Sequence, residues 1–300
     1  MALCSLLHEL GPDILDLEEE TFLLFSQDIP SQNIGIVDPR SAALDLTVAG
    51  KDFVIHQSPA ILTRPGTATG AVVWKITPLV ADWLAASDNL LWATGALSSS
   101  SAVLELGCGI SGLVGLVLAP LVTGYTLTDQ SYVARLVEKN ISENTHLLSL
   151  RKSGNASQKR KGKSSTAQSK PSLQFAPLDW ELDHVTPSLA GDRSVKSFDV
   201  VVACDCIYND SLIRPFVQTC VDACNLGRAN ESSDDRPTVC LVAQQLRDPE
   251  VFEEWIREFS RYFRVWRVPD NALSKELRSN PGFVVHLGIL QVAGELRNRS

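Results

Sequence analysis

Short, continuously apolar runs alternate with segments of helical spacing along most of this chain. The runs at 102–106, 126–128, 173–178, 199–204, 238–244, 264–268 and 283–292 show little polar alternation, which predicts strands buried on both faces. Between them, 77–86, 112–120, 130–144, 212–225 and 249–262 carry helical periodicity. The succession predicts an α/β fold, a doubly wound Rossmann-like sheet of seven mostly parallel strands. Only the loop 269–282 separates the last two runs, too little to require a crossover helix, so the final strand is expected to be antiparallel. Ahead of this core, 44–48 and 53–56 alternate around Ala49-Gly50-Lys51-Asp52, which predicts an N-terminal β-hairpin. The expected division is an accessory segment, 1–68, and a main domain, 69–300. The first forty residues show no clear pattern, and no internal repeat is present.

Composition narrows the class. With 44% hydrophobic against 21% charged residues in 300, a large core can be buried and wholesale disorder is excluded. Eighteen Gly and fifteen Pro without a period exclude collagen, and seven Cys are neither dense nor even, which excludes a disulfide scaffold. Residues 106–128 carry no charge over a length that could cross a bilayer. Gly107, Gly109, Gly112, Gly115, Pro120 and Gly124 interrupt that stretch, so strand, loop, buried helix and strand are expected and no membrane span. The start has no basic leader and runs into acids at 16–20, which predicts an intracellular, cytoplasmic protein with reduced thiols.

Charge is unevenly spread. Residues 151–172 hold seven Lys and Arg and no acid, so the remainder of a chain of net charge −8 carries −15. A strongly acidic body predicts a basic protein partner and no direct need for nucleic acid. The Ser/Lys/Gly/Gln-rich run 149–172 reads as a flexible solvated insert; Lys159-Arg160-Lys161 within it is a candidate nuclear signal or RNA-binding patch. Residues 227–236 read as a surface connection.

The chemistry concentrates in Val103-Leu104-Glu105-Leu106-Gly107-Cys108-Gly109-Ile110-Ser111-Gly112. An apolar strand ends in an acid, and a glycine turn then opens a helix, which lets backbone approach a ligand closely. Gly107, Gly109 and Gly112 satisfy G-x-G-x-x-G, so an NAD-dependent oxidoreductase must be weighed. A pyrophosphate, however, would meet the Glu105 carboxylate two residues before the turn. The same carboxylate suits a cationic ligand such as S-adenosylmethionine. Asp129, at the end of the second core strand, can accept from ribose hydroxyls in either case.

Glu105-Leu106-Gly107-Cys108-Gly109 resembles the cofactor motif of class I, seven-β-strand S-adenosylmethionine-dependent methyltransferases. The run 69–74, ending in Trp74, with 79–84, resembles the tryptophan segment of protein-lysine methyltransferase family 16. Leu178-Asp179-Trp180 is similar to its third-strand motif, and Asp205-Cys206-Ile207-Tyr208 to its D-x-x-Y signature. The neighbourhood of 203–213 looks most like the fungal ribosomal lysine N-methyltransferase 5 branch. The resemblance implies a monomeric enzyme that methylates a lysine of a basic protein, a ribosomal one on the branch-level likeness. It gives cofactor contacts to Trp74, Glu105, Gly107, Cys108, Gly109, Asp129, Asp179, Trp180 and Cys204, and substrate contacts to Asp205 and Tyr208.

These roles have physical counterparts. Indoles at Trp74 and Trp180 can flank a cation-bearing ligand or simply pack in the core. Asp179 can accept from an adenine amino group or cap the turn Asp179-Trp180-Glu181. Cys204 can touch the cofactor or merely fill space. Asp205 is expected to attract and orient the incoming ammonium and Tyr208 to fix its approach; a helix cap at Asp205 with a core Tyr208 is the alternative. Cys204, Cys206, Cys220 and Cys224 could converge as thiolates, but no C-x-x-C knuckle or nearby His accompanies them, so buried packing and no metal are expected. A methyltransferase fold retained only as an interaction module is the non-enzymatic reading.

Overall fold

A computed structural model describes residues 2–30, 35–60, 69–148, 172–191, 197–226 and 236–291. The basic insert, apart from Ser172 at its end, and the polar connection before Arg236 lie outside the described residues. Two helices absent from the sequence reading open the chain, α1 (Ala2–Leu10) and α2 (Leu17–Phe25). The hairpin follows as β1 (Ala43–Val48) and β2 (Lys51–His56). Its turn is tighter than expected: Ala49 and Gly50 alone make it, both at positive φ, so Lys51 and Asp52 join the strand.

The core runs α3 (Ile76–Ala85), α4 (Leu90–Thr94), β3 (Ala102–Leu106), α5 (Leu113–Leu118), β4 (Gly124–Asp129), α6 (Ala134–Glu143), α7 (Thr145–Leu148), β5 (Ser172–Pro177), β6 (Val200–Cys204), α8 (Ile213–Asn225), β7 (Val239–Gln245), α9 (Pro249–Ser260), β8 (Phe263–Arg267) and β9 (Phe283–Leu290). The sheet order is β5-β4-β3-β6-β7-β9-β8. Every pairing from β5 to β7 is parallel, whereas β9 lies between β7 and β8 antiparallel to both. The expected seven strands and antiparallel last strand are therefore observed. The charge-free stretch at 106–128 resolves into the end of β3, the short α5 and most of β4; among the described residues no helix is long and apolar enough to cross a membrane.

Both faces of the sheet are buried, which is why its strands read as unbroken apolar runs. Val103, Val200, Val202 and Cys204 point into one layer with α3 and α5; Leu104, Leu106, Val201 and Ala203 point into the other with α8 and α9. Cys206, Cys220 and Cys224 belong to this second layer and Cys204 to the first, so the four do not share one layer. None of the seven cysteines is in a disulfide, and no group of three or more His, Cys, Asp or Glu able to hold a metal occurs among the described residues.

The N-terminal elements are fixed to this core by polar contacts. Asn140 on α6 and Asn144 capping its end each exchange side-chain hydrogen bonds with the backbone of β2, at His56 and Val54. Glu20 on α2 reaches His286 of β9 at 3.0 Å and Arg267 of β8 at 3.4 Å. Chain order reverses between β3 and β6, and the carboxyl ends of strands at such a reversal are where open α/β sheets bind ligands.

Candidate active site

The tip of β3 turns through Gly107 and Gly109, with φ of +70° and +58°. A Cβ on Gly107 would stand 2.7 Å from the Cys206 Sγ and 3.1 Å from the Trp180 ring; one on Gly109 would stand 3.2 Å from the Gly70 carbonyl oxygen. Both positions thus need glycine for conformation and for space. The turn is held from three sides. Cys108 N–H donates to the Thr128 carbonyl, Ile110 N–H to the Gly70 carbonyl at 2.8 Å, and Gly109 N–H to the Asp129 carboxylate at 2.8 Å.

Around it opens a cleft of about 860 Å³, mouth included. All eleven residues named from the sequence line it: Trp74, Glu105, Gly107, Cys108, Gly109, Asp129, Asp179, Trp180, Cys204, Asp205 and Tyr208. Among the described residues no Lys or Arg lines it, whereas Glu105, Asp129, Asp179, Glu181 and Asp205 do. A pyrophosphate would therefore face several acids and no cation among the described residues, which weighs against the dinucleotide reading.

Glu105 is 2% exposed, and the Tyr125 hydroxyl donates to it at 2.7 Å. Burial, opposed by that hydrogen bond and aided by the neighbouring Asp129, raises its pKa to about 7. Asp129 accepts from Gly109 N–H and Gln130 N–H, yet burial still raises it to about 6. The floor of the cleft thus holds two acids without a positive partner. A cation arriving there recovers the free energy that their desolvation costs.

Asp179 makes the turn envisaged for it, accepting from Glu181 N–H at 2.9 Å, and also accepts from the Gln130 side chain at 3.1 Å while lining the cleft. Trp180 packs on Phe216 with centroids 5.1 Å apart, and its Nε1 is buried without a partner among the described residues. Trp74 donates from Nε1 to the Thr69 carbonyl. Cys204 and Cys206 have thiols pushed well up by burial, which keeps them protonated and suits packing rather than nucleophilic work.

The largest departure from the sequence reading is at Asp205. Its side chain is 1% exposed, and Arg247 grips it with two hydrogen bonds of 2.6 Å each; Gln245 N–H adds a third. The carboxylate is therefore already matched, and it does not present a free charge to an incoming ammonium as expected. Nor is it a helix cap: Asn209 occupies that place, accepting from Ser211 N–H. Asp205 also adopts a φ of +61°, a conformation that costs energy outside glycine and that the bidentate pair helps hold. Arg247 lies over the Trp74 ring at 5.1 Å, joining the end of β7 to the tryptophan segment. Tyr208 is 43% exposed at the mouth. Sequence reasoning missed Arg247, Cys206, Tyr132 and the Thr69-Gly70 strap; only the polar Gln244-Gln245-Leu246-Arg247 ending of an apolar strand hinted at the first.

The lysine methyltransferase family model matches residues 57–229. Ribosomal lysine N-methyltransferase 5 of Zygosaccharomyces rouxii is 33% identical over 232 residues, covering 68% of this chain and 69% of that protein. The protein of the same name from Vanderwaltozyma polyspora is 27% identical over 85% of this chain and 92% of its own length. A Schizosaccharomyces pombe protein named diaminohydroxyphosphoribosylamino-pyrimidine deaminase is 29% identical over 83% of this chain, which spans about half (52%) of that relative. The H-x-E and P-C-x-x-C pair of zinc base deaminases does not occur within these 300 residues. Among solved structures, an rRNA methylase from Streptococcus thermophilus aligns with 71% of this chain and 95% of its own, at 13% identity and a TM-score of 0.39.

Proposed function

Because the chain belongs to the lysine methyltransferase family, we propose that it methylates a lysine ε-amine on a basic ribosomal protein, acting as a cytoplasmic monomer and using S-adenosylmethionine. The observation that carries the reading is a pair of acids with no cationic partner among the described residues, buried Glu105 and half-buried Asp129, on the floor of a cleft that opens beside Tyr208. The residues fit this cofactor: a cleft floor without Lys or Arg, a glycine turn that no Cβ can enter, and an indole N–H awaiting an acceptor. Glu105 and Asp129 would hold its positive and ribose portions, with Asp179 and Trp180 beside the adenine and Trp74 across the cleft. When bound, it supplies an electrophilic methyl group on a sulfonium.

The chain's own residues prepare the amine. A lysine of pKa near 10.4 must shed a proton before its lone pair can attack. Entering a partly desolvated cleft next to a permanent positive charge lowers that pKa, and the proton leaves to water at the open mouth. Tyr208, at the mouth of the cleft, guides the side chain by ring and hydroxyl contact. We assign Asp205 a positioning role: clamped by Arg247, it fixes the strained start of the Asp205-Cys206-Ile207-Tyr208 loop. Holding the deprotonated amine in a fixed approach would then be the main contribution of these residues to rate.

The test is transfer of radiolabel from S-adenosylmethionine to the ribosomal protein fraction of cells lacking this gene, followed by mass spectrometry. One labelled lysine band is expected, lost in Asp129→Ala. Label on no protein, with cofactor still bound, would favour a silent interaction module; binding of NAD(H) alone would favour the oxidoreductase.

A further inference from the structure

A second cleft lies on the other side of Tyr208. It measures about 400 Å³, mouth included, and its apolar walls are Phe25 at the end of α2, Ile207, and Leu246, Val251 and Phe252 leading into α9. Tyr208 lines both clefts, so they are neighbouring chambers that share one wall. Phe25 and Phe252 meet edge to face at 5.6 Å, and Ile207, Leu246 and Phe252 are buried. Packing therefore sets the shape before anything enters.

Its polar complement narrows the occupant. Arg247 is engaged with Asp205, and Asp248 accepts from the Glu250 and Val251 N–H groups at the start of α9. The cation of the lining is thus paired and the carboxylate caps α9 at the exposed rim, whereas an apolar side chain finds a ready surface on the walls. Gln244, 2% exposed, also lines the cleft, and its Nε2 has no hydrogen-bond partner among the described residues. An unsatisfied buried donor is costly, and a carbonyl oxygen from an entering segment would relieve it. Phe25 and residues 244–252 all lie outside the 57–229 matched by the family model, and only Ile207 and Tyr208 lie inside. The cleft is thus built mainly by parts of the chain beyond the matched methyltransferase segment.

We propose that this cleft is a specificity subsite that holds an uncharged apolar side chain of the acceptor protein, close in sequence to the lysine that enters beside Tyr208. Gln244 donates to the backbone carbonyl of the same segment. The proposal rests on the reading of the larger cleft as a lysine methylation site.

The test is a peptide array with a central lysine and every natural residue substituted in turn at the flanking positions, incubated with the full chain and labelled S-adenosylmethionine. One flanking position should prefer a large apolar residue over Ala by about tenfold or more, the discrimination a hydrophobic pocket supplies. Val251→Trp, which fills the cleft, should lose that preference and favour Gly or Ala there, with cofactor affinity unchanged. Phe25→Ala, at the half-buried wall, should shift the preference toward larger residues and serves as the second arm where Val251→Trp does not fold. Methylation indifferent to every flanking position, or a preference unmoved in the folded variants, overturns the subsite alone. Absence of any lysine methylation, on the array and on ribosomal protein alike, overturns the larger-cleft reading and the subsite with it.

Discussion

The two halves of the sheet's carboxyl edge treat their acids in opposite ways. On the β3–β4 side, buried Glu105 and half-buried Asp129 have hydrogen-bond donors but no cation among the described residues, and both pKa values rise, to about 7 and about 6. On the β6–β7 side, Asp205 is buried as deeply, yet Arg247 matches it atom for atom. Charge left unmatched is charge reserved for a ligand, whereas charge matched within the chain fixes shape. The contrast divides labour within one cleft: one half attracts a cationic cofactor, and the other holds a loop still while the amine arrives.

Removing Arg247 tests the matched half hardest. Arg247→Ala leaves a buried carboxylate alone, and breaking such a pair from one side costs about 3 kcal/mol, the low end of the range because the guanidinium is 26% exposed along its side chain. Urea unfolding should show that loss. Asp205→Asn combined with Arg247→Gln should recover a large part of it through a neutral hydrogen bond, so the cycle should be strongly non-additive. A loss in the single variant no larger than that of an exposed pair would erase the contrast.

On the opposite half, Gly107→Val should reduce S-adenosylmethionine affinity about 100-fold, or ~2.7 kcal/mol, by titration calorimetry. Its Cβ would collide with Cys206, and its φ of +70° does not suit a branched residue. Unaltered affinity would place the ligand away from this turn.

These two residues also mark how far the sequence could be read. Gly107 was legible because a strand, an acid and glycines follow one another within ten positions, and local order is what a sequence displays. Arg247 was not, since it meets Asp205 across 42 positions and only the pairing of β6 with β7 brings them together. The same division explains the fold. Strands buried on both faces announce themselves as apolar runs, but α2 is secured by Glu20 reaching His286, 266 positions away, and no local pattern carries that contact. The hairpin shows a milder case: its existence was legible, while the tight turn at Ala49 and Gly50 depends on backbone angles.

The unmatched acids also predict opposite pH responses with and without ligand. From ordinary carboxylate values of 4.5 and 3.8, Glu105 and Asp129 rise to about 7 and about 6 in the native state, so between these limits the folded chain holds more protons than the unfolded one. Their contribution to stability is then greatest at low pH and declines as pH rises toward about 7. A cation favours the ionised forms, so cofactor affinity should move the other way, tightening about tenfold from roughly pH 5.5 to 8, with protons released. Glu105→Gln should flatten the larger share of both slopes. Slopes of the same sign for stability and affinity would mean that no positive charge sits over these acids.

Ionic strength should separate the buried acids from the exposed ones by the smallest effect of the set. Outside 151–172 the chain carries −15, which should speed the encounter with a basic acceptor over distances that salt screens. Raising salt from about 0.05 to about 0.5 M shortens the screening length to a few Å, and the acceptor KM should rise about threefold. Cofactor Kd should change much less, because Glu105 and Asp129 meet their ligand at contact, over a separation shorter than the screening length. An equal rise in both constants would place the floor acids within reach of bulk electrolyte, and their lack of a cation would then reflect solvation rather than a place kept for a charged ligand.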